Sequence, residues 1–152
     1  MVDLCCAPHA HGPAFAVWQQ HAGRVQLTTQ DPGDLGQRMA QAFAHRLQQG
    51  GHALMIGTDA PAIDAPMLQR AAAALHSADV VLVPAHDGGY ALIGLRQPQP
   101  TLFTAMPWST PGLLHATRTR LREVGLRHTE LPPVADIDEP ADLHHLPAGW
   151  LD

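Results

Sequence analysis

The sequence predicts an α/β fold of the three-layer, Rossmann-like type, with helices on both sides of a mostly parallel sheet. Short apolar segments alternate with helical segments along the chain, as they do in proteins built from strand–helix–strand units. Val80–Val83 is an uninterrupted apolar run, which is typical of a strand buried on both faces. The length of 152 residues suits one domain with a sizeable core, and no internal repeat is visible. We therefore predict a single domain over residues 1–152.

The individual strands and helices follow from apolar patterns and from the turn residues between them. The strands are predicted at Val2–Cys6, Val25–Thr28, His52–Ile56, Val80–Val83, Tyr90–Leu95 and Leu126–Leu131. The helices are predicted at Phe15–Gln20, Leu35–Gln49, Pro66–His76, Thr110–Val124 and Pro140–Leu146. Residues 97–100 are rich in proline and predict a loop.

Turn and capping residues set the ends of these helices. Asp34 is placed to cap the helix that begins at Leu35, and Gly50 and Gly51 end it. Pro66 suits a first helical turn, where the backbone N–H that proline lacks would have no partner.

Composition and charge exclude several classes of function. The formal net charge is −5 and no basic run is present, which argues against a nucleic-acid or membrane surface. Apolar runs are too short to cross a bilayer, and Asp3 lies where a signal peptide would be basic. We expect a cytoplasmic protein. All nine basic residues are arginines, so no lysine of this chain grips a phosphate or forms a Schiff base.

Asp59 follows the apolar run Leu54–Ile56 and a glycine, and Pro61 closes the turn after it. This pattern predicts a buried strand that places a carboxylate at the C-terminal edge of the sheet, where open α/β sheets bind ligands. The alternative is that Asp59 only caps a turn or a helix.

Two further acids, Asp136 and Asp138, alternate at the period of a strand and therefore point the same way. Asp142 lies in the first turn of the following helix, where a carboxylate stabilises the helix dipole and is less suited to bind a ligand. Asp59 together with a remote acid could hold Mg²⁺, which prefers one or two carboxylates completed by water and phosphate oxygens.

The segment Asp87-Gly88-Gly89-Tyr90 carries the third pattern. Glycine allows positive φ or the close approach of a ligand to the backbone, and Asp87 is presented at the tip of the loop. Asp-Gly is also a strong signal for a hairpin turn, and a turn is compatible with contact to a ligand.

These motifs together resemble one known family. They occur in its order over nearly the whole chain, at Gln30–Met39, Gly57–Pro61, Pro84–Gly94, Trp108–Thr110 and Asp136–Leu143. The chain thereby resembles the glycosyltransferase-like family associated with radical-SAM and selenodomain proteins or with arsenosugar biosynthesis. That family is similar to the wider nucleotide-diphosphosugar transferase superfamily, which has the GT-A fold.

The resemblance implies roles for individual residues. It implies nucleotide binding by Gln30, Gly33, Asp34, Leu35, Gly36, Arg38 and Asp59. It implies acceptor binding by Gly88, Gly89, Tyr90, Trp108, Ser109 and Thr110. Asp87 would orient or deprotonate an acceptor hydroxyl. Mg²⁺ or Mn²⁺ would be held by Asp59 and Asp138, with Asp136 as the reserve ligand.

The chain departs from the family at its beginning. Members normally start with a further strand and a Pro-x-x-Gly-x-x-Lys-Thr-Arg-Leu loop that grips phosphates, and no stretch here matches either. Because the family places that strand centrally, we expect an interruption in the sheet. The neighbouring strands could close up, another chain could supply the edge, or the sequence could be a shortened gene product. Exposed central strands favour association, so a homodimer is predicted.

The function predicted on this basis is metal-dependent transfer of a glycosyl group from a nucleotide-activated donor to a small acceptor. One alternative is a nucleotidyltransferase with the same metal site, acting at the α-phosphate with a phosphorylated small molecule. Another is a non-catalytic relative that keeps only the fold. A purely structural interpretation, with every acid a cap and every glycine a turn, fits each motif singly but does not explain their shared order.

Overall fold

The computed structural model describes residues 1–7, 15, 18, 24–147 and 149–150. Its strands are β1 Val2–Cys6, β2 Val25–Thr29, β3 Ala53–Ile56, β4 Val80–Pro84, β5 Tyr90–Leu95 and β6 His128–Glu130. Its α-helices are α1 Leu35–Leu47, α2 Ala65–Ala74 and α3 Leu113–Glu123, and 3-10 helices form at Pro100–Phe103 and Pro140–His145. The predicted strands are confirmed. The helix predicted at Phe15–Gln20 lies outside the described residues apart from Phe15 and Trp18.

Helix α1 begins at the residue that the sequence indicated. The Asp34 carboxylate accepts the backbone N–H of Gln37 at 2.8 Å, and the Gln37 side chain accepts the N–H of Asp34 at 3.0 Å. This reciprocal pair is a capping box, which satisfies two backbone donors that the first turn leaves free. Asp64 caps α2 in a similar way, through the N–H of Met67 at 2.8 Å.

Four strands form a mixed sheet in the order β3-β5-β4-β6. β5 is antiparallel to both of its neighbours, and β4 is parallel to β6. The prediction of a mostly parallel sheet therefore needs correction. The turn at residues 87–89 is too short for a crossover, so β5 reverses direction beside β4. β3, β4 and β6 nevertheless run the same way, and their C-terminal ends share one edge.

The remaining strands form a sheet of their own. β1 pairs with β2 in parallel, from Val2 opposite Val25 to Cys6 opposite Thr29. Within the described ranges no ladder joins this pair to β3, β4, β5 or β6. The expected interruption of the sheet is present, and β1 and β3 have not closed up.

The core lies on the two faces of the four-stranded sheet. Val80 and Leu82 of β4 belong to a cluster that includes Phe43 of α1 and Leu121 of α3. Val81 and Val83 point the other way, into a second cluster that includes Met67 of α2. All four residues from Val80 to Val83 are fully buried, so the predicted burial of this strand on both faces is confirmed. No helix in the described parts of the chain is long and apolar enough to span a membrane.

Candidate functional site

The acids singled out in the sequence follow strands that end at the same edge of the sheet. Asp59 lies three residues beyond the end of β3, and Asp87 lies three residues beyond the end of β4. Since β3 and β4 run in the same direction, both carboxylates emerge at the C-terminal edge, where open α/β sheets bind ligands.

Backbone hydrogen bonds bring residues 134–138 to the same edge. Val134 forms a parallel bridge with Ala85, and its N–H donates to the carbonyl of Pro84 at 3.0 Å. Three residues later, the N–H of Ile137 donates to the carbonyl of Asp59 at 2.9 Å. Asp136 and Asp138 flank Ile137, so this bond holds both of them beside the loop of Asp59.

A cavity of about 420 Å³ opens between these segments. Ten of the residues predicted for the site line it: Leu35, Asp59, Asp87, Gly89, Tyr90, Trp108, Ser109, Thr110, Asp136 and Asp138. Sequence reasoning missed five further lining residues, which are Met39, Ala85, Ala91, Pro111 and Leu113. The sequence indicates these five residues only by their position, since each lies near a predicted site residue along the chain or one helical turn from it.

The electrostatics of the cavity are one-sided. Every charged side chain that lines it is a carboxylate. Partial burial raises the pKa of Asp136 above its ordinary value, and repulsion from Asp87, Asp138 and Asp59 raises it further. The negative charge of the four acids is therefore not compensated by the described lining residues.

The turn at Asp87 is held by a short hydrogen bond and by close backbone contacts. The carboxylate of Asp87 accepts the N–H of Gly89 at 2.7 Å, which closes the turn. Gly88 has φ of +92°, and a Cβ atom there would collide with the backbone of Pro111. Its carbonyl accepts the N–H of Leu114 at 2.8 Å. Gly88 does not line the cavity, and its role in the structure is to let the start of α3 approach the hairpin.

The loop before α3 also lines the cavity. Trp108 stacks on Phe103, with ring centroids 6.5 Å apart and planes inclined by 11°. Gly36 lies beneath this pair, and a Cβ atom there would come within 2.9 Å of the Trp108 indole nitrogen. Ser109 lines the cavity with φ of +57°, a conformation that residues other than glycine adopt at a cost in energy.

Tyr90 begins β5 and lines the cavity. Its hydroxyl is buried and has no hydrogen-bond partner among the described residues. Burial also raises the pKa of this phenol well above its usual value, so the group stays protonated.

Residues predicted to bind the nucleotide divide into two groups. Leu35 and Asp59 line the cavity, whereas Gln30, Gly33, Asp34, Gly36 and Arg38 do not. The side-chain amide of Gln30 donates to the carbonyl of Cys5 at 3.1 Å and accepts from the Arg38 guanidinium at 2.9 Å. Both polar groups of this amide are thus engaged, and they connect the β1–β2 pair to α1.

Residues 1–110 match the family described as "Uncharacterized protein conserved in bacteria (DUF2064)". The chain belongs to this family. A crystal structure of a "putative nucleotide-diphospho-sugar transferase" from Desulfovibrio desulfuricans G20 is similar over 90% of this chain, with a TM-score of 0.77 and 28% identity. The aligned region covers 60% of that protein, so the chain spans about three fifths of its length. No curated protein matches the chain.

These likenesses support the glycosyltransferase-like superfamily that the motifs indicated. The mixed α/β fold of this DUF2064 chain is the fold of that crystal structure over the aligned region. The association with radical-SAM proteins or with arsenosugar biosynthesis stays a prediction.

The donor set of the cavity suits a hard divalent cation in part. Among the residues that the structure places, no three His, Cys, Asp or Glu side chains are arranged to hold a metal by themselves. Mg²⁺ does not need three, because it is commonly bound by one or two carboxylates with water and phosphate oxygens. Asp59, Asp136 and Asp138 all line the cavity, and their carboxylates are the type of ligand that such an ion prefers.

Asp142 is engaged elsewhere. Its carboxylate accepts the N–H groups of Glu139 at 2.9 Å and Asp138 at 3.2 Å. These bonds hold the pKa of Asp142 below its usual value and cap the 3-10 helix at Pro140–His145. Asp142 thus lies in the first turn, as predicted, and stabilises the segment that carries Asp138.

Proposed function

We propose that this chain transfers a glycosyl group from a nucleotide-activated donor to a small acceptor, with the help of a divalent cation. The supporting observation is the convergence of Asp59, Asp87, Asp136 and Asp138 on one cavity of about 420 Å³. Ligand sites of enzymes commonly have about 300–1,000 Å³. The likeness to a sugar-nucleotide transferase supports the donor class at a coarse level.

The cation in this proposal is Mg²⁺ or Mn²⁺, held by Asp59 and Asp138 with Asp136 as the reserve ligand. It would neutralise negative charge that develops on the leaving phosphate. The carboxylates alone repel a nucleoside diphosphate, and the chain has no lysine that could offset this repulsion. Nucleotide binding should therefore depend strongly on the metal.

Asp87 is proposed to act on the acceptor. It would orient the attacking hydroxyl and take its proton as the acceptor oxygen forms a bond to the anomeric carbon of the donor. The bond from that carbon to the phosphate oxygen breaks, and its electron pair leaves with the nucleoside diphosphate. Atoms and charge balance without a further reactant.

The remaining assignments are proposals of the same kind. A single domain of three layers with the GT-A arrangement is proposed, since helices pack on both faces of the four-stranded sheet. The loop at Gly33–Gly36 would lie on the nucleotide side, and Tyr90, Trp108, Ser109 and Thr110 on the acceptor side. Gln30 and Arg38 would reach a nucleotide only by giving up their mutual hydrogen bond.

Calorimetric titration of the full chain with nucleoside diphosphates tests the proposal. Each titration is run with Mg²⁺, with Mn²⁺ and with a chelator. We expect binding of at least one nucleotide in the presence of metal only. Asp59→Asn should abolish the metal-dependent heat, because the substitution removes a charged ligand and keeps the side-chain size.

The matched control is Asp64→Asn. Asparagine caps helices about as well as aspartate, so this variant should keep both its fold and its nucleotide binding. An absence of heat with every nucleotide and metal would defeat the transferase function and favour a non-catalytic relative. If binding is found, product analysis with a donor labelled in sugar and phosphate distinguishes glycosyl from nucleotidyl transfer.

A further inference from the structure

The residues that line the cavity include two chemically different sets. Four of them are the carboxylates Asp59, Asp87, Asp136 and Asp138. Five others, from the start of α1, the loop before α3 and the start of α3, have apolar or indole side chains: Leu35, Met39, Trp108, Pro111 and Leu113. A ligand that fills this space meets both sets of side chains.

No basic side chain among the described residues faces the cavity. The chain contains nine arginines and no lysine, and all nine arginines lie in the described ranges. None of them lines the cavity, and neither does a described histidine. Several arginines are held elsewhere by acids, including Arg118 by Glu130 and Arg127 by Asp79. Without a metal, an anionic group of a ligand would meet four like charges and no opposite charge among the described lining residues.

Among the apolar lining residues, Trp108 is fixed in place. Trp108 packs against the core cluster through Phe103, which itself stacks on Phe43 with ring centroids 5.7 Å apart. Gly36 allows the indole to lie close against α1. Such a preformed surface favours a rigid apolar face, since neither partner loses much conformational entropy on contact.

We propose that the acceptor is a molecule without anionic groups that presents an apolar ring face to Trp108 and a hydroxyl or ammonium group to the carboxylates. This inference rests on the proposed function, because only a transferase has an acceptor. It disfavours a phosphorylated acceptor, which the nucleotidyltransferase alternative would need. Repulsion of wrong ligands by unpaired charge is a common source of specificity.

Ligand-observed saturation-transfer NMR on the full chain, in the presence of a chelator, tests the charge preference. The probes are benzyl alcohol, benzylamine and benzyl phosphate, which share one ring and differ in charge. We expect signals from the alcohol and the amine and none from the phosphate. Asp136→Asn should weaken benzylamine by about fivefold, as for a partly exposed ion pair, and weaken benzyl alcohol less, because the alcohol carries no charge.

Two tryptophan variants test the position of the ring. Trp108→Ala should abolish the signals of both probes, whereas Trp150→Ala removes an exposed tryptophan outside the cavity and should keep them. Trp108→Phe keeps an aromatic ring and should retain part of the signal, which separates loss of contact from loss of the loop structure.

Several results would overturn the inference. These are binding of benzyl phosphate as strong as that of benzylamine, equal losses in the two alanine variants, or no signal from any probe. The nucleotide titration is read separately. Metal-dependent nucleotide binding with a failed probe panel defeats the acceptor class alone. Probe selectivity without nucleotide binding defeats the transferase proposal and leaves the selectivity of the cavity standing.

Discussion

The four-stranded sheet and the β1–β2 pair are held in place by different forces. Val80–Val83 of β4 are fully buried between two apolar clusters. In β1 and β2 only Cys6 is buried, and Val2 is 61% exposed. The pair contacts α1 through the polar side chains of Gln30 and Arg38. Apolar burial scales with area, whereas a hydrogen bond adds little net stability, so the two regions should open at different free energies.

The largest expected effect is on the four-stranded sheet. Leu82→Ala should lower the free energy of unfolding by about 2–5 kcal/mol, because it leaves a cavity in a fully buried site. Leu4→Ala in half-buried β1 should cost clearly less. Urea unfolding followed by circular dichroism measures both. Equal losses would show that β1 is as well packed as β4 and would end the distinction.

Removing the polar link should release the β1–β2 pair alone. In Arg38→Ala, the hydrogen bond to Gln30 is lost, and we expect the amides of β1 and β2 to exchange faster by an amount equivalent to about 1 kcal/mol. Amides of β4 and β5 should keep their protection in the same hydrogen-exchange experiment. Arg122→Ala, on exposed α3 surface, is the control. Faster exchange in every strand would mean that the link stabilises the whole fold.

The edge of β3 that pairs with no described strand should also govern self-association. We predict a homodimer in which a second copy covers the free side of β3, where Ile56 is 45% exposed. Ile56→Lys should shift the dimer towards monomer in sedimentation velocity, since a charge on an edge strand disfavours pairing. Val124→Lys changes a similarly exposed residue at the end of α3 and should leave the dimer intact. A wild-type chain that is monomeric at all accessible concentrations contradicts the prediction.

The smallest expected effect is that of the Asp136 charge on the free energy of unfolding. Since the folded state raises the pKa of Asp136, it binds more protons than the unfolded state just above pH 4. The unfolding free energy should therefore fall as the pH rises through the raised pKa, and Asp136→Asn should be more stable than the wild type at pH 7. Below the unfolded pKa this advantage should vanish. Thermal melts between pH 3 and pH 8 decide the sign. A variant less stable at pH 7 would mean that the charged Asp136 stabilises the fold.

Local patterns predicted the elements well and their pairing less well. The apolar runs located β3 and β4, and Asp34 located the start of α1, because these signals depend on neighbouring residues. The pairing of β5 with β3 depends on contacts between distant residues, which no local pattern contains. Residues 97–100 predicted a loop from their prolines, yet Pro100 begins a short 3-10 helix that extends to Phe103.

The site shows the same limit. Strand-end position was enough to place Asp59 at the C-terminal edge of the sheet, whereas Asp87 was predicted only as the tip of a loop. Neither the bond between Gln30 and Arg38 nor the packing of Gly36 beneath Trp108 could be predicted, because each joins side chains through the tertiary fold. Residues expected to contact a nucleotide proved to have structural partners of their own.

The hydrogen bond from the N–H of Ile137 to the carbonyl of Asp59 joins residues far apart in the sequence. It holds Asp136 and Asp138 beside the loop of Asp59. All named strands precede Val134, so they can pair before Asp136 and Asp138 arrive. A ligand that needs Asp59 together with Asp136 and Asp138 would then stabilise the C-terminal segment on the sheet by mass action. Resistance of residues 134–147 to proteolysis would in that case report occupancy of the cavity directly.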